Sequence, residues 1–473
     1  MRELVWKIAL WLLLSAAMLL PIAWVEAHGF LSSATIQMWA KAIVLTDGPS
    51  VFRATDAFFP PLPFAIALVM QVVSGGTGIP LPHVLSAAVG GLLAVAWYYN
   101  LINRAAYDRV SALLVVLLLV LNPVFLRALS EGPSMMFLIL GAWLFFRGLV
   151  NIRLFGTAPD MMKVALGLLV ATMSHELGVL FALATLPALV LAARPSLLLV
   201  SPSGYLVSMF FPVVAAVLSL FFISAVLKTD FFAVQLLSPD RTWAGATFLA
   251  ILCLLPVPLM VILRLLPQAR FSMPLAGIVL TLAGMALLNR VYPVQPDPVL
   301  VAAPALGAIP VAARWWTRTS LRSTPLAALL LLSGMLGGWA LGALGASESR
   351  AWLQAASGRT VTNSVAQAAQ VAAFLRDREE VLADVERHPD LVAALGHARN
   401  FIAAGDPAYD RVLFGGRPAG AFIVVGVDQN EPVVRDRLLR ALPRLQNNRD
   451  SRFDLVYDTG NWMVYRVNRA GDT

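Results

Sequence analysis

The sequence predicts an α-helical polytopic membrane protein with a C-terminal soluble α/β domain, and three observations carry that expectation. Of 473 residues, 59% are hydrophobic and only 13% charged, and the mean hydropathy is +0.76, which excludes the soluble globular class. Apolar segments long enough to cross a bilayer recur from the N-terminus to about Leu344. Beyond that point charge returns and the apolar runs shorten. The change of composition marks a boundary between a membrane part, 1–348, and an α/β part, 349–473.

A net charge of +8 raises the question of an anionic partner, but here the basic residues read as topology signals, so membrane lipids and not nucleic acid are the expected surroundings. The single cysteine, Cys253, lies in an apolar run and supports neither a disulfide framework nor a thiol metal site. Arg2 and Lys7 before an apolar run, with Val25-Glu26-Ala27 after it, imitate a signal peptide and its cleavage site. The run to Trp24 is long for such a segment and many spans follow. It is therefore read as the first span.

Taken in order, about eleven spans are expected, at 7–25, 83–101, 110–126, 133–150, 161–174, 177–193, 204–227, 244–263, 271–289, 297–313 and 324–345. With a cytoplasmic N-terminus, the inner connections hold Arg104 and Arg109, then Arg147, Arg153 and Lys163, then Arg194, then Arg264 and Arg270, then Arg314, Arg318 and Arg322. Short outer connections hold only Arg127, Lys228, Arg241 and Arg290, as the positive-inside rule expects. This register requires that 58–75 does not cross. That segment is short and led by proline, so it is placed as an interfacial or re-entrant helix in the first outer loop, 26–82. The stretch 31–45 alternates apolar residues with Ser32, Gln37 and Lys41 and is placed beside it as a second helix along the outer surface.

The acids sort by side. Glu26, Asp47, Asp56, Glu131, Glu176, Asp230, Asp240, Asp297 and Glu348 fall at the outer face, and only Glu3, Asp108 and Asp160 stay inside. Acidic residues contribute little to orientation, so the skew points to polar work outside. With this register the C-terminal domain emerges on the same outer side. An alanine-rich helix is expected around 361–378, with strands at 381–385, 399–403, 421–427, 453–458 and 461–467 and a helix at 431–445, which together suggest an α/β domain with a mainly parallel sheet. The last two strands, joined by Thr459-Gly460, read as a hairpin.

Glu26 is the first candidate for chemistry. A carboxylate at the end of a span and under a loop can accept a proton from a hydroxyl nucleophile, though it can equally mark the water boundary. His28, two residues on, reads more simply as an interfacial histidine. Glu131 follows Asn122-Pro123 and precedes Gly132-Pro133, which suits both a second site acid and plain helix capping. Ser174-His175-Glu176 interrupts an apolar run over 161–193, as a tight outer turn or as backbone lining a cavity, where His175 could meet a phosphate. In the loop 228–243, Lys228 and Arg241 suit a lipid-linked phosphate or simple snorkelling at the membrane edge. Arg290 and Asp297 can be read either way.

The chain has no nucleotide-binding glycine-rich loop, no zinc helix of the His-Glu-x-x-His type and no nucleophile elbow. Energy from ATP bound on this chain is not expected, and an activated donor arriving through the membrane is a natural substitute.

These features together resemble the GT-C superfamily of integral membrane glycosyltransferases, in particular bacterial members similar to the aminoarabinose and protein mannosyl transferases. In that family an acid ends the first span, the first outer loop carries horizontal helices, and a proline-rich segment leads back to the second span. Glu26 and Pro60-Pro61-Leu62-Pro63-Phe64 match, as do Asn122-Pro123 with Glu131 in the second outer loop. Ser174-His175-Glu176-Leu177-Gly178 falls where relatives often carry a basic residue and glycine near the donor phosphate. The family often has an Asp-Glu pair where this chain has Val25-Glu26, which leaves a divalent metal open.

The resemblance implies a GT-C-like fold and transfer of a sugar from a polyprenyl-phosphate-linked donor to a glycan, lipid or protein acceptor. The reaction would run on the periplasmic face of the bacterial inner membrane, usually with inversion. In that scheme Glu26 is the base and Glu131 orients acceptor or donor. His28, Asp56, His175, Glu176, Lys228, Arg241 and Arg290 form the wider substrate-binding set. The competing class is a non-catalytic GT-C-like scaffold or transporter in cell-envelope polysaccharide assembly. Paired repeats and broken helices at mid-membrane, which a transporter favours, are not expected here.

Overall fold

The computed structural model describes residues 2–48, 60–74, 80–195, 201–227, 244–316, 323–404, 406–416, 418, 420–426, 436–445 and 452–468. The chain opens with α1 (Arg2–Ala27), whose 26 residues rise about 39 Å at 1.5 Å each, enough to cross a bilayer. Ser32 then caps α2 (Ser33–Asp47) by accepting from the Thr35 amide, and Pro61 starts α3 (Pro61–Ser74). These are the two helices expected within the first outer loop.

The return into the bundle is α4 (Leu81–Ala105). It is followed by α5 (Arg109–Val120), capped by Asp108, and α6 (Pro123–Glu131), bent 61° from α5. The bend has a local cause. Asn122 stops one helix and caps the next, its Oδ1 accepting from the Val124 amide at 2.9 Å, while Pro123 has no N–H to continue the ladder. Next come α7 (Pro133–Leu154), α8 (Ala158–Thr172), α9 (Glu176–Ala184), α10 (Leu186–Ala192) and α11 (Pro202–Leu227). A second bend of 75°, at Pro256, separates α12 (Ala244–Leu254) from α13 (Pro256–Leu265). The membrane part ends with α14 (Ala269–Val291), α15 (Pro298–Trp315, partly 3-10) and α16 (Ser323–Ala343).

Among the described residues seven helices are long and apolar enough to cross a membrane, or up to nine if each bent pair is one span. The remaining two expected spans, 161–174 and 177–193, are α8 with 15 residues and the broken pair α9 and α10, with 9 and 7. The sequence reading anticipated no broken span. The structure corrects this at both bends, and in each the proline supplies the reason.

Close backbone approach holds the bundle where α7 meets α8. A Cβ on Gly141 would lie 2.7 Å from the Gly167 carbonyl oxygen, and one on Gly167 would lie 2.6 Å from the Phe145 nitrogen. Small residues at the crossing are how helices pack when lipid removes the usual hydrophobic advantage. The outward faces of α1 and α11 keep Leu12, Leu13, Leu20, Phe211 and Phe222 exposed, a surface suited to hydrocarbon.

Beyond α16, α17 (Ser347–Ala356) sends Trp352 and Ala355 into the same hydrophobic cluster as the membrane helices. The C-terminal domain then begins with α18 (Ser364–Leu375). It continues as β1 (Val381–Ala383), α19 (Pro389–Leu395), β2 (Phe401–Ile402), α20 (Pro407–Leu413), β3 (Phe422–Gly426), α21 (Arg437–Ala441), β4 (Phe453–Asp458) and β5 (Trp462–Val467). The strand order is β2-β1-β3-β5-β4. The first three strands are parallel, but β5 runs antiparallel to both β3 and β4, so the sheet is mixed, not mainly parallel. The tight turn at Thr459-Gly460 forces this, since a hairpin can only add antiparallel strands.

α2 serves both parts. Met38 and Ala42 belong to the membrane cluster, whereas Ile36, Trp39, Ala40, Ile43 and Val44 pack with α18, α19 and β1. The helix therefore sits between bundle and sheet instead of lying on an open surface. The other face of the sheet is covered by Tyr409 and Val412 of α20 and by Leu438 and Leu439 of α21.

Candidate functional site

The last turn of α1 carries Glu26, about a third exposed, with its Oε2 3.6 Å from Nδ1 of His83, whose side chain is 5% exposed. His83 stands in the first turn of α4, where Pro80 and Pro82 set the start of the helix. Neither of its ring nitrogens has a hydrogen-bond partner among the described residues. One turn on, Ser86 donates its hydroxyl to the Leu129 carbonyl at 2.6 Å, which locks α4 against α6.

α6 presents a second acid in a different state. Glu131 is buried and its Oε2 accepts from Nη1 of Arg127 at 2.7 Å, an i,i+4 pair on one helix face. Arg127 is 0% exposed. Its remaining donors reach Glu348 Oε2 at 3.3 Å and Ser349 Oγ at 3.1 Å on α17, and its guanidinium lies over the Phe30 ring at 5.3 Å. Five donors in a fixed fork make arginine the cation best able to sit here fully dehydrated. The Glu131 carbonyl in turn accepts from Ser32 Oγ at 2.7 Å and Thr35 Oγ1 at 3.1 Å. Asp297, another of the acids singled out in the sequence, caps α15 through the Val299 amide and accepts from the Ala346 amide at 3.3 Å.

The segment after Glu26 is clamped from the far end of the chain. The Val361 amide donates to the His28 carbonyl at 2.8 Å, Asn363 Nδ2 to the Gly29 carbonyl at 2.9 Å, and Trp24 Nε1 to the Ala356 carbonyl at 3.2 Å. Gly29 takes φ +86, and a Cβ there would lie 1.9 Å from the Val361 carbonyl oxygen, so only glycine fits. His28 packs on Trp24 with centroids 4.5 Å apart and the rings tilted by 43°, and its Nδ1 lies 2.8 Å from the Trp24 carbonyl.

The turn at Ser174-His175-Glu176 is a tight helix–helix connection. His175 caps α9, its Nδ1 accepting from the Leu177 amide at 3.0 Å, so that nitrogen is unprotonated and only Nε2 is left to meet a ligand. Glu176 begins α9 and interacts electrostatically with Lys41 of α2. The Leu62 amide at the head of α3 donates to the Met173 carbonyl at 3.0 Å. From Thr35, bonded to Glu131, to Lys41 is about 9 Å along α2. One helix thus links the acid cluster to the histidine turn.

Of the sequence candidates, the structure brings Glu26, His28 and Glu131 around the head of α2, with His175 and Glu176 at its middle. Arg290 ends α14 exposed, and no hydrogen bond or ion pair joins it to another described residue. Asp56, Lys228 and Arg241 lie outside the described residues. Two participants were not singled out in the sequence, His83 and Arg127. His83 had a signal of its own, being one of only five histidines and placed just inside a span. Arg127 was legible only as a basic residue in an outer turn. Among the described residues no group of three or more His, Cys, Asp or Glu side chains is placed to hold a metal ion.

No family profile matches the chain, and no curated protein matches it by sequence. Solved structures do. ArnT from Cupriavidus metallidurans bound to undecaprenyl phosphate superposes with a TM-score of 0.58 at 13% identity, over 99% of this chain and 98% of that one. The same protein in the apo state gives 0.54 at 15% identity, over 96% and 97%. The likeness runs through both the membrane bundle and the C-terminal domain, so the chain is a multi-pass membrane protein with the GT-C-like fold of ArnT.

Proposed function

We propose that the protein is a membrane glycosyltransferase that moves a sugar from a polyprenyl-phosphate-linked donor to a glycan, lipid or protein acceptor on the periplasmic face of the bacterial inner membrane. The observation that supports it most is the fold shared along nearly the whole chain with a protein solved with undecaprenyl phosphate bound. Glu26, the one partly exposed acid at the end of α1, is the base. Its carboxylate takes the acceptor hydroxyl proton as the acceptor oxygen bonds to the anomeric carbon. The bond from that carbon to the donor phosphate breaks, the phosphate leaves with the electron pair, and the configuration inverts.

His83 faces Glu26 and orients it, the 3.6 Å separation closing to a hydrogen bond when substrate excludes water. Glu131 acts through position, since Arg127 already neutralises it, and its carbonyl fixes the head of α2. His175 Nε2, with Lys228 and Arg241, receives the leaving phosphate. The C-terminal domain, packed on α2, stands over the site on the same side.

The test is transfer of labelled sugar from a membrane lipid extract by the protein in liposomes, comparing wild type with Glu26→Gln and running a chelator in parallel. Loss in the variant alone supports a metal-independent base. Loss with chelator as well brings a cation into the site. Equal transfer by both proteins removes Glu26 from the chemistry, and no transfer by either with an intact donor pool favours a scaffold.

A further inference from the structure

At the end of the bundle opposite Glu26, five polar side chains converge on one cavity. Asn100 and Arg104 come from α4, Arg147 and Asn151 from α7, and Arg314 from the end of α15, with Val150 and Val311 completing the wall. From His83 to Arg104 is about 31 Å along α4, so this place is a membrane thickness away from the acids described above. The cavity is open on one side and holds about 20 Å³, room for one water or one oxyanion oxygen. Arg104 is exposed at its mouth, whereas Asn100 and Asn151 are 7% and 4% exposed.

Charge makes the place unusual. The three guanidinium groups are close enough to repel one another, and none of the lining residues is acidic. The acid that acts on Arg147 is Asp160, which already accepts from Thr157 Oγ1 at 2.6 Å and Lys163 Nζ at 3.1 Å. Other arginines at this end have taken other work. Arg153 donates to the Ala193 carbonyl, and Arg194 and Arg270 donate to the Leu154 carbonyl, tying α7 to its neighbours. No hydrogen bond from a described residue satisfies the guanidinium of Arg104, Arg147 or Arg314. Only the Trp143 and Trp315 rings lie under two of them, at 5.4 and 5.5 Å.

The asparagines are engaged, Asn100 Nδ2 donating to the Pro310 carbonyl at 3.2 Å and the Asn151 side chain interacting with Asp160, so the open donors are the arginines. Positive-inside bias explains arginines that point to water separately, but not three converging on one cavity. We infer that this cavity is an anion site for a phosphate group at headgroup depth. Forked donors match phosphate oxygens. The depth follows from the aromatic residues at the same level, Tyr98, Tyr99, Trp315 and Trp316, which mark a membrane–water interface. Trp6 in the first turns of α1 is two-thirds exposed at this end, and Lys7 lies over the Tyr99 ring at 5.1 Å. A lipid headgroup or a free phosphate offers the same chemistry.

Two probes separate these sources. In nanodiscs of phosphatidylcholine doped with phosphatidylglycerol, native mass spectrometry reads the anionic lipid retained after delipidation. In detergent, thermal unfolding reads the response to inorganic phosphate. Arg147→Gln and Arg314→Gln are expected to retain about tenfold less of the bound anion than wild type, the effect of one charge-assisted contact. Arg109→Gln, an exposed charge at the same end outside the cavity, is expected to change nothing. Without ligand, Arg314→Gln should unfold no earlier than wild type, because one of three repelling charges is gone. Arg104→Gln repeats the test at an exposed position whose loss does not disturb packing. Lipid retention without a phosphate response assigns a headgroup, and the converse assigns free phosphate. Equal loss in Arg109→Gln, or no binding of either probe by wild type, overturns the site.

Discussion

Glu26 and His83 face each other across the junction of α1 and α4, carboxylate to imidazole at 3.6 Å, with the histidine buried and both its nitrogens otherwise unpartnered among the described residues. Burial of an imidazole without a partner is unfavourable unless a ligand or the carboxylate completes it. If Glu26 is the base, Glu26→Gln should lower turnover by about 10²–10⁴-fold, the range for a general base, with expression unchanged. His83→Ala should lower kcat by about tenfold, equivalent to one lost hydrogen bond to a charged group, and leave KM for the lipid donor unchanged. Steady-state kinetics on both variants checks this. A change confined to KM would make His83 part of donor binding.

Arg127 and Glu131 test a different property, the mechanical integrity of the site. Arg127→Met leaves Glu131 dehydrated with no counter-charge, and breaking a buried pair from one side destabilises by about 3–5 kcal/mol. Removing both charges in Arg127→Met with Glu131→Met takes away the stranded charge, so the double variant should recover about half or more of that loss. Glu348, 39% exposed, can then be hydrated. Thermal unfolding in detergent for the two single variants and the double measures the coupling. Simple additivity would show that the pair is not energetically linked.

Hydropathy carried the fold far because lipid-facing and buried segments share one signal, long apolar runs. The strand pair was legible as 453–458 and 461–467 from alternation and a Thr459-Gly460 turn, and the structure begins the second strand one residue later, at Trp462. The double duty of α2 was not, because periodicity shows how much of a helix is apolar and not whether its partner is lipid, bundle or sheet. For the same reason Arg127 read as a topology marker in an outer turn. Its complete burial depends on α17, which returns to the bundle from more than two hundred residues along the chain. Glu26 was visible as an acid at a span end, whereas His83 became part of the same feature only when α4 packed against α1. The side of the sheet near His388 carried no sequence signal at all.

That side supports a pH prediction for the C-terminal domain. His388 Nε2 lies 2.8 Å from Asp436 Oδ2 and packs edge-on against Trp462. Burial opposes its charge, but the hydrogen bond and charge of Asp436, with Asp390 and Asp384, outweigh this and raise it above the ordinary 6.5. Asp384 and Asp390 are raised above 3.8, chiefly by burial. A raised folded-state value adds stability that is complete below the unfolded value and fades as pH climbs through the folded one. All three groups act in that direction, so the domain should lose stability on going from pH 5 to about pH 8. Asp436→Asn keeps an oxygen to cap the Leu438 and Leu439 amides but removes the charge, and should flatten the dependence. Unfolding monitored against pH in both proteins decides it, and a rise in stability with pH would refute the assignment.

The last prediction concerns the clamp on the segment that follows Glu26. Gly29 lies in the left-handed region at φ +86, and its missing Cβ is occupied by the Val361 carbonyl, a backbone atom that no rotamer change can move aside. Gly29→Ala therefore adds backbone strain of about 1–3 kcal/mol and also forces 361 away. The contacts from Val361 and Asn363 to His28 and Gly29 would open, and the link between α17 and α18, already exposed but tethered by those bonds, would be freed to enter a protease site. Limited proteolysis should cut within 357–363 in the variant and not in wild type, with an earlier unfolding transition. Because Glu26 lies three residues before this glycine, the proposed sugar transfer should fall as well, while Asn363→Ala, which loses the bond to Gly29 and the cap on the Ala366 amide but adds no clash, should show the same cleavage more weakly.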